Sequence, residues 1–241
     1  MNRQLTPVVK NLIIINVLFF LVTSLNILPD QIIYALIGHY PASELFYPWQ
    51  IVTHMFMHGG LFHILMNMFV LFMFGPMLEQ LWGPKRFLVY YFVTGLGAVG
   101  LHYLVVYLQI QSISVTLNPG EVQEIYDNGA SILMDRTRAY SKDSMNQLNQ
   151  LVNGGLLGAS GAVYGVLLGF GMLFPNTRLM LLFPPIPIKA KVLVFILGGV
   201  ALFSAISNNE GDNVAHFAHL GGMLFGYLLL KYWQKNNGSF Y

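Results

Sequence analysis

Six apolar segments, each close to the length that an α-helix needs to cross a lipid bilayer, constrain the fold more than any other feature. They cover approximately residues 12–28, 61–78, 87–108, 155–174, 192–207 and 214–230. Only 9% of the 241 residues are charged, against roughly a quarter in soluble domains. The pattern predicts an all-α membrane protein, in which one domain of residues 1–241 forms a bundle of six transmembrane helices.

The basic residues are distributed unevenly around these segments. Nine of the 12 Lys and Arg residues lie near the chain ends or in the connections after the second and fourth segments. A six-helix bundle has all of these regions on one side, and the positive-inside rule makes that side cytoplasmic. We therefore expect a multi-pass integral membrane protein with both termini in the cytoplasm, in a bacterial inner membrane. No basic run indicates a nucleic-acid partner.

The connection over residues 112–153 then lies on the outer side, between the third and fourth helices. Its sequence is polar and shows no strong apolar face, so it is predicted to be a long external loop, an insertion that is helical in part near residues 141–152. It contains no residue with an evident chemical role. We expect this insertion to be dispensable for chemistry in the membrane.

The fourth segment contains a candidate nucleophile, Ser160, in apolar surroundings where polar groups are usually functional. Gly161, Gly165 and Gly169 follow at intervals of four, which gives the helix a face of bare backbone for close packing. An alternative interpretation is that Ser160 is a small residue at a helix contact. Gly158 precedes it.

The sixth segment has the same small-residue spacing, because Gly222 and Gly226 follow His219. The predicted orientation places Ser160 and His219 at a similar depth below the outer face, so the two side chains can form a nucleophile and base pair. His216 lies nearer the helix entrance. The predicted spans contain no Asp or Glu beside this pair, so a dyad is expected. Tyr164, one turn after Ser160, could stack on the imidazole or belong to the core.

The second segment begins with a run of hydrogen-bonding side chains. His63 and Asn67 are four residues apart and share a helix face, where they could donate to an oxyanion together with the backbone N–H of Ser160. Alternatively, the histidines of this region hold the first loop. His54 and His58 have the spacing of zinc ligands, but the sequence lacks the Glu of a His-Glu-x-x-His motif, and neither metal nor other cofactor is predicted.

Together these motifs resemble the rhomboid family of intramembrane serine proteases. The matching residues are His54, His58, His63, Asn67, Glu79, Gly83, Gly158, Ser160, Gly161, Tyr164, Ala218, His219, Gly222 and Gly226. The resemblance implies a six-helix bundle with Ser160 as nucleophile, His219 as general base, and His63, Asn67 and the Ser160 amide at the oxyanion. One departure is Gln50 after Trp49, where many members have arginine, so anchoring of the first loop by arginine is expected to be lost.

The expected function is hydrolysis of a peptide bond in or beside a transmembrane helix of a substrate protein that enters laterally from the bilayer. Small or helix-breaking residues would allow that helix to unwind. One alternative is a transporter whose buried histidines relay protons. Another is a non-proteolytic relative that binds membrane proteins. The polar residues cluster near the outer third of the spans, which disfavours transport.

Overall fold

The computed structural model describes residues 5–135, 137–180, 185–207 and 213–237. Its helices are α1 (Pro7–Ser24), α2 (Asp30–Leu36), α3 (Gln50–Thr53), α4 (Leu61–Trp82), α5 (Pro84–Ser114), α6 (Pro119–Met134), α7 (Asp143–Asn153), α8 (Ser160–Leu173), α9 (Ala190–Ile206) and α10 (Asn213–Asn237). A short 3-10 helix covers His54–Phe56, and strands β1 (Arg178–Met180) and β2 (Pro187–Lys189) pair antiparallel.

Each of the six predicted apolar segments coincides with a helix, which confirms the mostly helical, apolar class of the fold. Within the described ranges, α1, α4 and α5 are long and apolar enough to cross a membrane, and α8 and α9 are shorter apolar helices. The count of six spans stays a prediction. So does the cytoplasmic position of the termini, which depends in part on Arg3, a residue outside the described ranges.

Helices α5, α8 and α10 pack together through small residues. A Cβ added to Gly161 would lie 2.3 Å from the Cβ of Ala98 on α5, and one added to Gly165 would lie 2.5 Å from Thr94. Tyr90 on α5 donates a hydrogen bond of 2.9 Å to the carbonyl of Gly165. The glycine face of α8 therefore packs on α5, at a distance that only bare backbone allows.

Glu79 connects the end of α4 to the beginning of α1. Its carboxylate accepts hydrogen bonds from the backbone N–H groups of Val8 and Val9, at 3.0 and 2.9 Å, and from the hydroxyl of Thr6. The first N–H groups of a helix have no partner within it, and a carboxylate is favourable beside the positive end of the helix dipole. Glu79 is therefore a buried cap that fixes α1 against α4.

The first loop, residues 25–60, is anchored by the amide of Gln50, which is fully buried. Its Oε1 accepts from the N–H of His39 at 3.2 Å, and its Nε2 donates to the carbonyls of Tyr34 and Leu45 at 3.1 and 2.7 Å. Gln50 stands where many proteins of the resembled family have arginine, yet the loop keeps a side-chain anchor here. An amide supplies a donor and an acceptor without the cost of burying a charge.

Helices α6 and α7 form a packed hairpin on the C-terminal half of α5. Ile125, Leu148 and Val152 are fully buried there, together with Val106 and Ile110 of α5. The expectation that residues 112–153 have no strong apolar face is therefore wrong. The helical part is also longer than predicted, because α6 precedes the predicted helix near residues 141–152.

The hairpin has well-defined ends. Asn118 accepts from the N–H of Glu121 at 2.9 Å while the Glu121 carboxylate accepts from the N–H of Asn118 at 3.1 Å, which is a capping box at the start of α6. Lys142, just before α7, forms an ion pair with Glu121. The starts of both helices are thus joined.

Candidate active site

Helix α8 begins at Ser160, whereas the predicted fourth segment begins at residue 155, which would place Ser160 inside the helix. The residues between are irregular, and Gly158 has φ of +126°, a conformation that favours glycine. Ser160 is consequently the first residue of a helix. Its backbone N–H belongs to the first turn, where N–H groups have no partner within the helix.

Ser160 and His219 lie within hydrogen-bonding distance of each other. Oγ of Ser160 is 2.9 Å from Nε2 of His219 on α10. The ring of Tyr164 stacks on the imidazole of His219, with centroids 4.2 Å apart and planes 5° from parallel. His216 meets the same imidazole edge-on, with centroids 5.8 Å apart. The structure thus brings together the serine, the histidine and the tyrosine that the sequence analysis selected.

Helices α8 and α10 approach each other closely beside this pair. A Cβ added to Gly222 would lie 1.9 Å from the carbonyl oxygen of Gly161, which is backbone and cannot rotate away. Gly226 differs, because its nearest neighbours are Tyr90 and Thr94 of α5. The small-residue face of α10 therefore meets two helices, with Gly222 against α8 and Gly226 against α5.

His63 faces the turn that precedes the serine. A Cβ added to Gly158 would lie 2.8 Å from Cε1 and Nε2 of His63 and 3.7 Å from Oγ of Ser160. Gly158 is needed at this position both for its backbone conformation and for the space it leaves to the imidazole.

Asn67 lies one turn below His63 on α4 and is only 5% exposed. Its Nδ2 is buried without a hydrogen-bond partner among the residues that the structure describes. A buried donor without a partner costs free energy and is often functional. Asn67 is absent from the lining of the cavity around Ser160, however, so of the two predicted side-chain donors His63 is the one that contacts it.

The two other histidines of this region belong to the first loop. Nδ1 of His54 donates to the carbonyl of Gln50 at 2.8 Å. Burial lowers the pKa of His54, and burial with the neighbouring His63 lowers the pKa of His58 to about 4. Both imidazoles are therefore neutral near pH 7. No group of three potential metal ligands occurs in the described part of the chain.

A cavity of about 150 Å³ adjoins Ser160 and His219. Its lining also includes His54, Met55, His63, Gly95, Ala98, Val99, Leu156, Leu157, Gly158, Gly161, Ala162 and Ala218. The sequence analysis missed the contribution of α5, from Gly95 to Val99. Small residues are frequent in this part of α5, at Gly95, Gly97, Ala98 and Gly100, but they lack the four-residue interval that marked the other two helices. Their number alone could have indicated a close contact.

The apolar helices indicate a helical membrane protein. Its serine and histidine meet at a small cavity, so the protein has an internal polar site. The chain belongs to the Rhomboid family, since the model of the Rhomboid domain matches residues 46–235.

Several named proteins are similar to this chain. RHOMBOID-like protein 6, mitochondrial, of Arabidopsis thaliana is 30% identical over 75% of this chain and 42% of its own length. The rhomboid family protein YdcA of Bacillus subtilis is 26% identical over 75% of this chain and 65% of its own. Inactive RHOMBOID-like protein 8 of Arabidopsis thaliana is 39% identical over 27% of this chain and 18% of its own. The chain thus spans less than two thirds of each of these relatives.

Proposed function

We propose that this protein is an intramembrane serine endopeptidase with Ser160 and His219 as its catalytic dyad. Membership of the Rhomboid family supports the class of activity. The single observation that carries the assignment of residues is the distance of 2.9 Å between Oγ of Ser160 and Nε2 of His219.

In the proposed reaction, Nε2 of His219 accepts the hydroxyl proton of Ser160 while Oγ attacks the carbonyl carbon of the scissile peptide bond. The tetrahedral intermediate collapses, the C–N bond breaks, and the imidazolium gives its proton to the leaving amine. Water then attacks the acyl-enzyme with His219 again as base, which releases the acid product and restores Ser160. The stacked ring of Tyr164 fixes the imidazole plane, a task that a carboxylate performs in a triad.

The negative charge on the carbonyl oxygen needs donors that are already in place. The N–H of Ser160 lies in the first turn of α8, where the helix dipole also favours an anion. His63 lines the cavity beside it. Asn67 lies one turn below and outside the lining, and its Nδ2 is a buried donor without a partner among the described residues. We assign these three groups to the stabilisation of the oxyanion.

The proposed substrates are transmembrane proteins cut in or beside a membrane-spanning helix. The cavity is small, and six of its lining residues are glycine or alanine, which suits small side chains near the scissile bond. They are Gly95, Ala98, Gly158, Gly161, Ala162 and Ala218. Lateral entry is supported by α9, whose buried positions are Ala190, Val194, Ala201 and Ala205. Its large side chains Phe195 and Phe203 are 81% and 70% exposed. Helix α9 therefore packs on the rest of the bundle mainly through small side chains, which favours its displacement by an entering substrate.

The proposal also includes the placement of the chain in the membrane. Residues 1–241 form one membrane domain with cytoplasmic termini, and the α6–α7 hairpin lies on the outer side. The distribution of basic residues supports this orientation. A bacterial inner (plasma) membrane is the proposed location. One relative is from the bacterium Bacillus subtilis, whereas the relative from Arabidopsis thaliana is named mitochondrial.

Labelling by a fluorophosphonate tests the dyad, because such probes react with serines activated by a neighbouring base. We expect the purified protein in detergent to carry the adduct on the peptide that contains Ser160, as read by mass spectrometry. Labelling should be absent in Ser160→Ala and at least a hundredfold slower in His219→Ala. A folded protein in which Ser160 does not react would contradict an activated nucleophile, and would leave the buried-histidine transporter as the better explanation.

Asn67→Ala and His63→Ala should each lower kcat by about a hundredfold without abolishing cleavage, because each removes one of several donors to the oxyanion. The matched control is Asn16→Ala, which removes an equally buried amide on α1, away from the cavity. Cleavage of a reconstituted transmembrane substrate is the measurement. If Asn67→Ala and His63→Ala both keep the wild-type kcat, the polar face of α4 is structural.

A further inference from the structure

Asn153, the last residue of α7, joins three separate parts of the chain through one buried amide. Its Oδ1 accepts from the hydroxyl of Ser43 in the first loop at 2.7 Å. Its Nδ2 donates to Oδ1 of Asn149 at 2.8 Å and lies 3.5 Å from the carbonyl oxygen of Ile125 on α6. Asn153 is 1% exposed and Ser43 is 7% exposed. Both ends of the link between the hairpin and the first loop are therefore shielded from water.

The hairpin holds this amide rigidly. Nδ2 of Asn149 donates to the carbonyl of Gly129 on α6 at 3.0 Å. A Cβ on Gly129 would lie 2.4 Å from Oδ1 of Asn149 and 2.7 Å from Nδ2 of Asn153, so glycine leaves the space that the two amides fill. Buried polar groups whose hydrogen bonds are made fix one arrangement of their surroundings.

The chain that follows Asn153 pairs with the first loop before it reaches the active site. Gly38 and Leu156 exchange two backbone hydrogen bonds, of 2.8 and 2.7 Å. The N–H of Gly158 then donates to the carbonyl of His54 at 2.9 Å. The first loop is thus attached to residues 153–158 at three points, and His54 forms part of the cavity wall.

We propose that Asn153 is a positioning residue, through which the α6–α7 hairpin holds the first loop, and with it one wall of the cavity, in place for the substrate. The activity part of this inference rests on the proposed function. Gly161 and Gly222 are in close contact beside Ser160 and His219, and neither belongs to the first loop, so we expect the distance between serine and histidine not to depend on the loop. Loss of the hydrogen bond between Asn153 and Ser43 should therefore weaken substrate binding and leave the chemical step unchanged. The inference replaces the expectation that residues 112–153 are dispensable.

Asn153→Ala and Ser43→Ala remove the same hydrogen bond from opposite sides. Each should raise KM for a reconstituted transmembrane substrate about tenfold, because a buried partner loses its bond, while kcat changes less than about twofold. The double variant should be no worse than the more affected single variant, since both act through one bond. Wild-type KM in both folded single variants would overturn the proposal.

Asn146→Ala is the matched control on the same helix. Asn146 accepts from the N–H of Tyr140 at 2.8 Å and donates to its carbonyl at 2.9 Å, so it stabilises the hairpin and has no bond to the first loop among the described residues. It should leave KM unchanged. An equal rise in KM for Asn146→Ala would mean that substrate binding depends on the general stability of the hairpin. The specific role of the Asn153–Ser43 hydrogen bond would then be rejected.

Amide hydrogen exchange gives a readout that does not require catalysis. The amides of Gly38 and Leu156 should exchange about tenfold faster in Asn153→Ala and Ser43→Ala than in the wild type or Asn146→Ala, because their pairing loses its support. Unchanged exchange would overturn the proposal that Asn153 holds the first loop in place. Faster exchange in these variants, together with a wild-type protein that a fluorophosphonate does not label, would support the role of Asn153 and overturn the proposed function. Failure of the inference and failure of the proposed function are therefore distinguishable.

Discussion

Ser160→Ala is expected to lower cleavage of a reconstituted transmembrane substrate to the level of a protein-free control, a loss on the order of 10⁴-fold or more. The variant removes the atom that attacks the carbonyl carbon, and no other hydroxyl lines the cavity in the described part of the chain. His219→Ala should have a comparable effect, because the hydroxyl then has no base. The double variant should be no slower than either single variant, since nucleophile and base act as one unit.

The interpretation of Ser160→Ala requires that the protein remain folded. Loss of one hydrogen bond costs about 1 kcal/mol, so the thermal unfolding temperature in detergent should change by a few degrees at most. Ser131→Ala is the matched control, because its exposed hydroxyl also makes one hydrogen bond, to the carbonyl of Asn128. Turnover that persists in a folded Ser160→Ala protein would exclude Ser160 as the nucleophile.

The helices and the packed glycine faces could be predicted because both depend on local sequence. Apolar segments of sufficient length must satisfy their backbone groups internally, so each forms a helix. Glycine every fourth residue leaves a bare stripe, and such a stripe packs against another backbone. Ser160 and His219 are polar residues in apolar segments, and each lies next to one of these glycine stripes. Those properties identified Ser160 and His219 before any distance was known.

The features that the sequence analysis missed depend on long-range contacts. Residues 154–158, which precede α8, pair with the first loop through Gly38 and His54, and no local pattern indicates that pairing. The apolar face of the α6–α7 hairpin was overlooked because it includes Asn149 and Asn153. Asparagine counts as polar in a hydropathy pattern, yet both are buried here with their hydrogen bonds made.

The contact between Gly222 and Gly161 determines how closely α10 approaches α8. Gly161 follows Ser160, the proposed nucleophile, directly, and Gly222 lies three residues, or nearly one helical turn, after His219. A Cβ at residue 222 would lie 1.9 Å from the carbonyl oxygen of Gly161, whereas ordinary contacts begin at 3.4 Å. The two backbones must then separate by roughly 1.5 Å, which is the difference between those distances. The distance between Ser160 and His219 should lengthen with them.

Gly222→Val is therefore expected to inactivate the protein, with a loss of at least a hundredfold in kcat, because a displacement of about 1 Å at reacting atoms is enough for a loss of this size. Gly222→Ala should show a smaller loss in the same direction. Forced overpacking should also lower the free energy of unfolding by about 1–3 kcal/mol, so activity is measured at a temperature where both variants are folded. Gly100→Val is the matched control, since a Cβ on Gly100 meets no atom within 4 Å, and it should keep wild-type kcat. Full activity in folded Gly222→Val would show that α10 can move away from α8 without separating His219 from Ser160, and that the glycine contact does not set the catalytic distance.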